Sequence, residues 1–339
     1  MQDAKEAVRR SCLTKDRARR GYSPQNSENF ASLVGARGSN DLVRKFRVGP
    51  SNTGNSSSSS LSQTMPGSDA TSSSPLSSAL LQPNSWPTVE TWGEDNATEF
   101  HDSITTYYNH ICQVAHAIVN AICDGIKIHN PDIRLPSSLV GVGESASQTT
   151  TCGSGNIQIH HDSNNGKSQE TENTSILTLL GYRKGSRHQG KHLSPLIAAH
   201  TDFGVITVLI FDSGDSAVLQ RSQSTNGSNS CEKNTWVDVK LPKVISEDPV
   251  FVVNIGDCLS DMCGAMLPST LHRVMPSKGG TVTRNCLALF MGLKPDEVLN
   301  LPNSDNNDER VTYEEWRRQR IARAQAELMK HKTQPSKIK

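Results

Sequence analysis

The stretch Leu196 to Phe211, LIAAHTDFGVITVLIF, carries the residues best suited to chemistry. An apolar run, Leu196 to Ala199, delivers His200, and Thr201 and Asp202 follow. Phe203 and Gly204 turn the chain, and a second apolar run rich in β-branched residues, Val205 to Phe211, leaves. Two strands with an imidazole and a carboxylate at the turn between them can offer both groups to one ion. A third ligand is available in His272, within PSTLHRVMP. Two imidazoles and one carboxylate form the facial donor set that holds ferrous iron and leaves coordination positions open for reactants.

A lone histidine is more often a hydrogen-bonded structural residue, so the joint pattern carries the reading: strand, His-x-Asp, glycine turn, strand, then a histidine in a strand setting, then an arginine. A second His-x-Asp, His160, His161 and Asp162 within QIHHDSNNGK, has polar flanks and no departing strand. A metal triad needs rigid backbone, which that setting does not supply. The arginine is Arg284, at the head of RNCLALF. In a strand, residues 284, 286, 288 and 290 share one face, so Arg284 can point into the space that His272 faces, with Phe290 as a lining residue. A buried arginine needs an anion, and a fixed guanidinium beside an open iron site suits a carboxylate gripped by two hydrogen bonds.

The elements that must position these residues occupy only part of the chain. Of 339 residues, 34% are hydrophobic, and the mean hydropathy is −0.50, so some segments cannot belong to a packed core. The net charge of +1 gives no one-sided field for nucleic acid or a membrane surface. No apolar run approaches the roughly 18–20 residues that span a bilayer, and Met1 to Arg20 lacks the apolar centre of a signal peptide. The eight cysteines show no metal-like spacing, and Cys258 and Cys263 read as small buried hydrophobes. Free thiols and ferrous iron both suit a reducing cytosol. The expectation is a cytoplasmic monomer acting on a small molecule.

In chain order, residues 1–50 open with a charged helix over Asp3 to Arg20, and 21–50 read as mostly loop with Phe30, Leu33 and Phe46 as anchors. Residues 51–85 form a serine-rich insertion, with thirteen serines among the 28 positions from Ser51 to Ser78, too few apolar groups to offset ordering entropy. Residues 86–143 form a scaffold region. Asn96 and Glu99 start a helix, and apolar residues at 100, 104, 107, 111, 114, 118, 122 and 126 give it one sticky stripe. Residues 144–175 are polar again. From 176 to 297 the chain reads as strands: SILTLLGY, LIAAH, VITVLIF, then a polar insertion (Gln220 to Asn234), WVDVKLP, VFVVNIGD closing in a Gly-Asp turn, STLHRVMP and NCLALFMGL. Short strands between turns argue a mainly β fold with flanking helices, a sandwich or jelly roll. In 298–339, Thr312 and Glu315 open a basic helix to about Lys332, whose charges read as a solvated face.

HTDFG, NIGD, STLHRV and the arginine strand resemble the C-terminal catalytic half of the isopenicillin N synthase-like branch of the iron(II)/2-oxoglutarate-dependent dioxygenases. RGYSP, ENF, NDLVRKFRVGP, the Trp86 to Ile128 segment and YEEWRRQRIARAQ are similar to the same family. The resemblance implies a double-stranded β-helix, a distorted jelly roll flanked by helices. It implies that His200, Asp202 and His272 ligate Fe(II), that 2-oxoglutarate chelates the iron with its distal carboxylate on Arg284, and that Tyr182, in LLGYRKG, lies near the co-substrate. O2 would complete the set, with succinate and CO2 as co-products and hydroxylation, desaturation or ring closure as the outcome. The family's Arg-x-Ser reads here as Arg284-Asn285-Cys286, and a thiol is a weaker donor than a hydroxyl. One such hydrogen bond is worth about 1 kcal/mol, or roughly fivefold in affinity. Leu180 stands where the family has an asparagine, and the strand and Trp-Gly-Phe-Phe-like segment that precede RGY in the family have no counterpart, as in an incomplete gene model. Two further readings stay open: an oxidase like isopenicillin N synthase, without 2-oxoglutarate, and a non-catalytic binding protein on a decayed oxygenase fold.

Overall fold

The computed structural model describes residues 20–29, 39–50, 83–136, 138–139, 174–182, 194–223, 235–240, 250–302 and 311–333. In order these form β1 (Gly21–Ser23), β2 (Arg44–Val48), α1 (Val89–Trp92), α2 (Glu94–His129), β3 (Ile176–Tyr182), β4 (Ile197–His200), β5 (Ile206–Phe211), β6 (Ala217–Gln223), β7 (Thr235–Asp238) and β8 (Val252–Ile255). There follow α3 (Asp257–Met262), β9 (His272–Pro276), β10 (Arg284–Phe290), β11 (Val298–Leu299), β12 (Val311–Thr312) and α4 (Tyr313–Thr333). The larger sheet runs β1-β2-β3-β10-β5-β8 and the smaller β4-β9-β6-β7, with β11 and β12 paired apart.

The two-residue period of the strands divides the core into two compartments. From the large sheet, Leu180, Cys286 and Ala288 meet Ile197, Ala217 and Val274 of the small sheet, which makes the interior of a jelly roll. The alternate residues, Leu177, Val208 and Leu289, face the other way and pack with α2. Jelly-roll topology and flanking helices are therefore as expected. The stripe that α2 buries is not quite the expected one. The most enclosed positions are Ile111, Ala115, Val119, Cys123 and Ile126, while Ile104, Val114, Ile118 and Ile122 flank them. Small side chains let the helix axis approach the sheet, and the larger isoleucines wedge in on either side. The helix starts at Glu94, ahead of Asn96, whose amide donates to the Trp92 carbonyl instead (3.0 Å). By length and composition α2 is apolar enough to cross a membrane, contrary to the expectation for this chain, yet its buried stripe is committed to the sheet.

Several other expectations change. Within 21–50, read as mostly loop, the described residues also include two short strands: β1 and β2 extend the large sheet, with β2 laid antiparallel on β3. The polar insertion begins later than Gln220: Ala217–Gln223 is a strand between β9 and β7, held by its neighbours rather than by its own hydropathy. NIGD does not end in a simple turn, since Asp257 begins helix α3. Cys258 and Cys263 are buried, as read. Thr312 caps α4 through its hydroxyl, which accepts from the Glu315 N–H (3.3 Å). The helix expected over Asp3 to Arg20, Phe30 and Leu33, most of the serine-rich insertion, and His160, His161 and Asp162 lie outside the described residues.

An ion network ties β2 to the loops around it. Glu28 accepts two bonds from Arg47 (2.7 and 2.6 Å) and one from Lys45 (3.0 Å), and Lys45 also meets Asp41 at 2.6 Å. Burial raises the Glu28 pKa, but the two cations more than reverse this and hold it well below 4.5. Its contribution to stability is therefore complete above pH ~4.5 and declines as the pH falls toward the lower folded-state value. Glu28→Gln leaves two cations short of their carboxylate, and we expect a loss of about 2–4 kcal/mol at pH 7. In denaturant titrations that deficit should shrink below pH ~4.5; a deficit that stays constant down to pH ~3 would show that the charge is not what stabilises.

Candidate active site

The turn from β4 to β5 places His200 and Asp202, and the start of β9 places His272. His200 and His272 are direct cross-strand partners, with an irregularity between Ile197 and His200 that re-aims the end of β4. Directly opposed residues carry Cβ atoms only about 5 Å apart, and the two imidazole centroids are 4.3 Å apart. The ligand atoms of His200, Asp202 and His272 all lie within 4.8 Å of one another. His200 Nε2 is 3.6 Å from Asp202 Oδ1, and His272 Nε2 is 3.8 Å from Asp202 Oδ2.

The surroundings orient each of these groups. His200 Nδ1 donates to the Ala198 carbonyl (2.7 Å) and His272 Nδ1 to the Thr270 carbonyl (2.8 Å). Both bonds put the ring proton on Nδ1 and leave the Nε2 lone pair facing the carboxylate, the arrangement that metal-ligating histidines use. Asp202 Oδ2 accepts from the Thr207 hydroxyl (2.7 Å) and the Asn254 amide (2.9 Å). Asp202 Oδ1 is buried with no hydrogen-bond partner. A buried carboxylate oxygen left unpaired is costly, and a cation between Oδ1 and the two Nε2 atoms would remove that cost. Burial, and then His272, lower the His200 pKa to about 4, so the ring is neutral and able to donate its lone pair at neutral pH. Burial pushes the Asp202 carboxyl up, but the imidazoles in their protonated form and the bonds from Thr207 and Asn254 outweigh it, so its pKa lies below the usual carboxylate value. The residues present therefore fit a ferrous ion.

A cleft between the two sheets is lined both by this triad and by Arg284. Leu209, Leu219, Val274 and Phe290 line it, and Phe290 shares the Arg284 face of β10 as the strand period required. Arg284 Nη1 donates to the Ala217 carbonyl (2.5 Å), and its guanidinium carbon sits 4.6 Å from the Phe211 ring centroid. Its Nε is buried without a partner. An anion at this end of the cleft would satisfy it. Tyr182, the cross-strand neighbour of Arg284, also lines the cleft. Burial keeps its phenol protonated, hence a donor. Cys286, on the same face, has its thiol pushed up to about 12 by burial, so it too stays neutral. Leu180 offers the interior a purely apolar side chain between Lys45 and Cys286.

The sequence reading missed Thr207 and Asn254. Asn254 belongs to the NIGD motif, and the motif packs directly onto HTDFG. The Gly256 N–H donates to Val205 O (3.0 Å), the Asp257 N–H to Asp202 O (2.7 Å) and the Cys258 N–H to Gly204 O (3.1 Å). Glycine is required on both sides of this seam. A Cβ on Gly204 would run into the Met291 carbonyl oxygen, and one on Gly256 would run into the Gly204 carbonyl oxygen.

Residues 177–292 match the model of the 2OG-Fe(II) oxygenase superfamily. The 2-oxoglutarate-Fe(II) type oxidoreductase hxnY of Emericella nidulans is 31% identical over 143 residues, which is 41% of this chain and 36% of the relative. The proline hydroxylase buaE of Petromyces alliaceus is 32% identical over 111 residues, 33% of this chain and 31% of the relative. The chain thus spans about a third of the length of these curated relatives. A 2OG-Fe(II) oxygenase family protein from Caulobacter crescentus shares the fold, with a TM-score of 0.57 at 18% identity, covering 94% of this chain and 80% of that one. The matched segment begins in β3, ends just past β10 and encloses His200, Asp202, His272 and Arg284, so the likeness to the 2OG-Fe(II) oxygenase superfamily falls on the candidate site, and it is consistent with the isopenicillin N synthase-like branch.

Proposed function

We propose that the protein is an Fe(II)- and 2-oxoglutarate-dependent oxygenase of a small organic molecule. The observation that carries this reading is the convergence of His200, Asp202 and His272 at one end of a cleft whose other end presents Arg284 with an unpartnered Nε. Bound iron and 2-oxoglutarate would supply the activation of dioxygen and the electrons for it.

The chain's own residues place and shield those groups. His200 and His272 would give Nε2 and Asp202 would give Oδ1, while the Ala198 and Thr270 carbonyls, Thr207 and Asn254 hold the three side chains in that pose. The three ligands leave the remaining positions for reactants. Arg284 would take the distal carboxylate of the co-substrate through a charge-assisted bond, with the Tyr182 hydroxyl as a second donor. The apolar walls, Leu209, Leu219 and Val274, keep water away and strengthen that interaction. The names of the relatives, an oxidoreductase and a proline hydroxylase, support a small-molecule substrate.

Anaerobic titration of the metal-free protein with Fe(II) and 2-oxoglutarate is expected to give a visible charge-transfer band, and aerobic incubation with substrate is expected to give succinate. A folded protein that binds neither would sink the reading; oxidation without succinate would move it to the oxidase class. Cys286→Ser restores a hydroxyl beside Arg284. It should tighten 2-oxoglutarate binding about two- to fivefold, the worth of one hydrogen bond, as read from the band's half-saturation.

A further inference from the structure

The turn that carries two of the three ligands, His200 to Gly204, has no ladder of its own at residues 201–205. Beside the Thr207 and Asn254 bonds to the Asp202 carboxylate and the bond from the Val205 N–H to Met291 O (2.9 Å), it is held by the start of α3. The Asp257 N–H holds the Asp202 carbonyl (2.7 Å), and Asp257 Oδ2 accepts the Thr201 hydroxyl (3.1 Å). The same Oδ2 lies 3.0 Å from Nη2 of Arg320, on the C-terminal helix α4. The Arg320 guanidinium carbon also sits 5.6 Å from the Phe203 ring centroid, so one side chain touches both the carboxylate that holds the turn and the turn itself. Asp257 is 6% exposed. A carboxylate this enclosed calls for a compensating charge, and Arg320 is a cation in contact with it. Arg320 was expected on a solvated face; its side chain is 28% exposed and turned to the metal-bearing loop.

We propose that Asp257 and Arg320 are a positioning pair for the metal site: helix α4, through this ion pair, sets the turn that aims the Asp202 carboxylate. The pair does not touch the ion; it acts through Thr201 and the Asp202 backbone. The inference rests on the ferrous reading above. The alternative is that Arg320 only docks α4. A control bond lies on the same two helices: Trp316 Nε1 donates to Asp261 Oδ2 (3.0 Å), away from the turn.

The test is titration of the metal-free protein with Co(II), followed by its ligand-field absorption, beside circular dichroism and thermal unfolding. Arg320→Met and Thr201→Val should each weaken Co(II) about tenfold, the low end for a residue that supports a ligand from behind. Arg320→Lys should recover part of the loss, since it keeps the charge but not the planar fork. Trp316→Phe should lower the melting temperature and leave Co(II) affinity at the wild-type value. If Arg320→Met does not fold, Thr201→Val still carries the test, because it removes the link without touching α4. Wild-type affinity in both Arg320→Met and Thr201→Val, or an equal loss in Trp316→Phe, would overturn the positioning pair and leave the metal reading intact. Wild-type protein that fails to bind Co(II) would instead remove the metal reading itself.

Discussion

Asp202→Asn is expected to abolish turnover while leaving the fold standing. The asparagine carbonyl can still accept from Thr207 and Asn254, so the bonds that now anchor Oδ2 persist. The metal-free melting temperature should stay within about 2–4 °C of wild type, the shift worth roughly 1 kcal/mol in a domain of this size. What disappears is the anionic oxygen. Oδ1 is buried without a partner and 3.6 Å from His200 Nε2, and a neutral amide there cannot balance a dication. Losing a contact behind the ligands weakens metal sites about 10–100-fold, so loss of a direct ligand should cost at least about 100-fold. Thermal unfolding reads this cleanly. Wild type should gain about 2.7 kcal/mol at a metal concentration of about 100 Kd, and Asp202→Asn should gain almost nothing at the same concentration. A metal-induced stabilisation equal to wild type would remove Asp202 from the ligand set.

Arg284→Met should separate co-substrate binding from metal binding. The substitution keeps an unbranched apolar chain over Phe211 and deletes the guanidinium together with its bond to Ala217 O. Truncating one partner of a buried, hydrogen-bonded charge pair costs about 2–5 kcal/mol, which corresponds to roughly 30-fold to a few thousand-fold in 2-oxoglutarate affinity. The loss should fall mainly on KM for 2-oxoglutarate, because under the proposed function the arginine would grip the end of the co-substrate away from the reacting atoms. Co(II) affinity should match wild type. Arg284→Lys should lie between the two, since an ammonium supplies charge without the fork. An unchanged KM for 2-oxoglutarate with reduced affinity for the oxidised substrate would instead assign the arginine to that substrate.

Much of this site was legible in the residues because its parts are local patterns. The apolar runs on either side of His200 and Asp202 announce strands, and Gly204 announces the turn between them; both are there. The alternation of RNCLALF puts Arg284, Ala288 and Phe290 on one face, and all three line the cleft. Periodicity reports which side of an element a residue takes. It reports nothing about which elements meet. That His200 and His272 stand directly opposite each other is a fact of register between β4 and β9, strands far apart in the chain. The same limit hid β6, whose QRSQ end looks like a polar loop until β9 and β7 pair with it, and β1 and β2, of which β2 pairs with β3 and β1 with β2.

The amino-acid sequence alone determined the donor types, the strands that carry His200 and His272 and the face of its strand that Arg284 takes, because each follows from side-chain chemistry and short-range period. Only the tertiary structure decided how the donors are held. Asn254 and Asp257 looked like the end of a strand, yet one bonds the ligand carboxylate and the other bonds its backbone. Arg320 looked like one charge among many on a basic helix, yet it meets Asp257. Hydrogen bonds and ion pairs between distant segments have no signature in spacing, since they are set by packing that brings those segments within about 3 Å of each other.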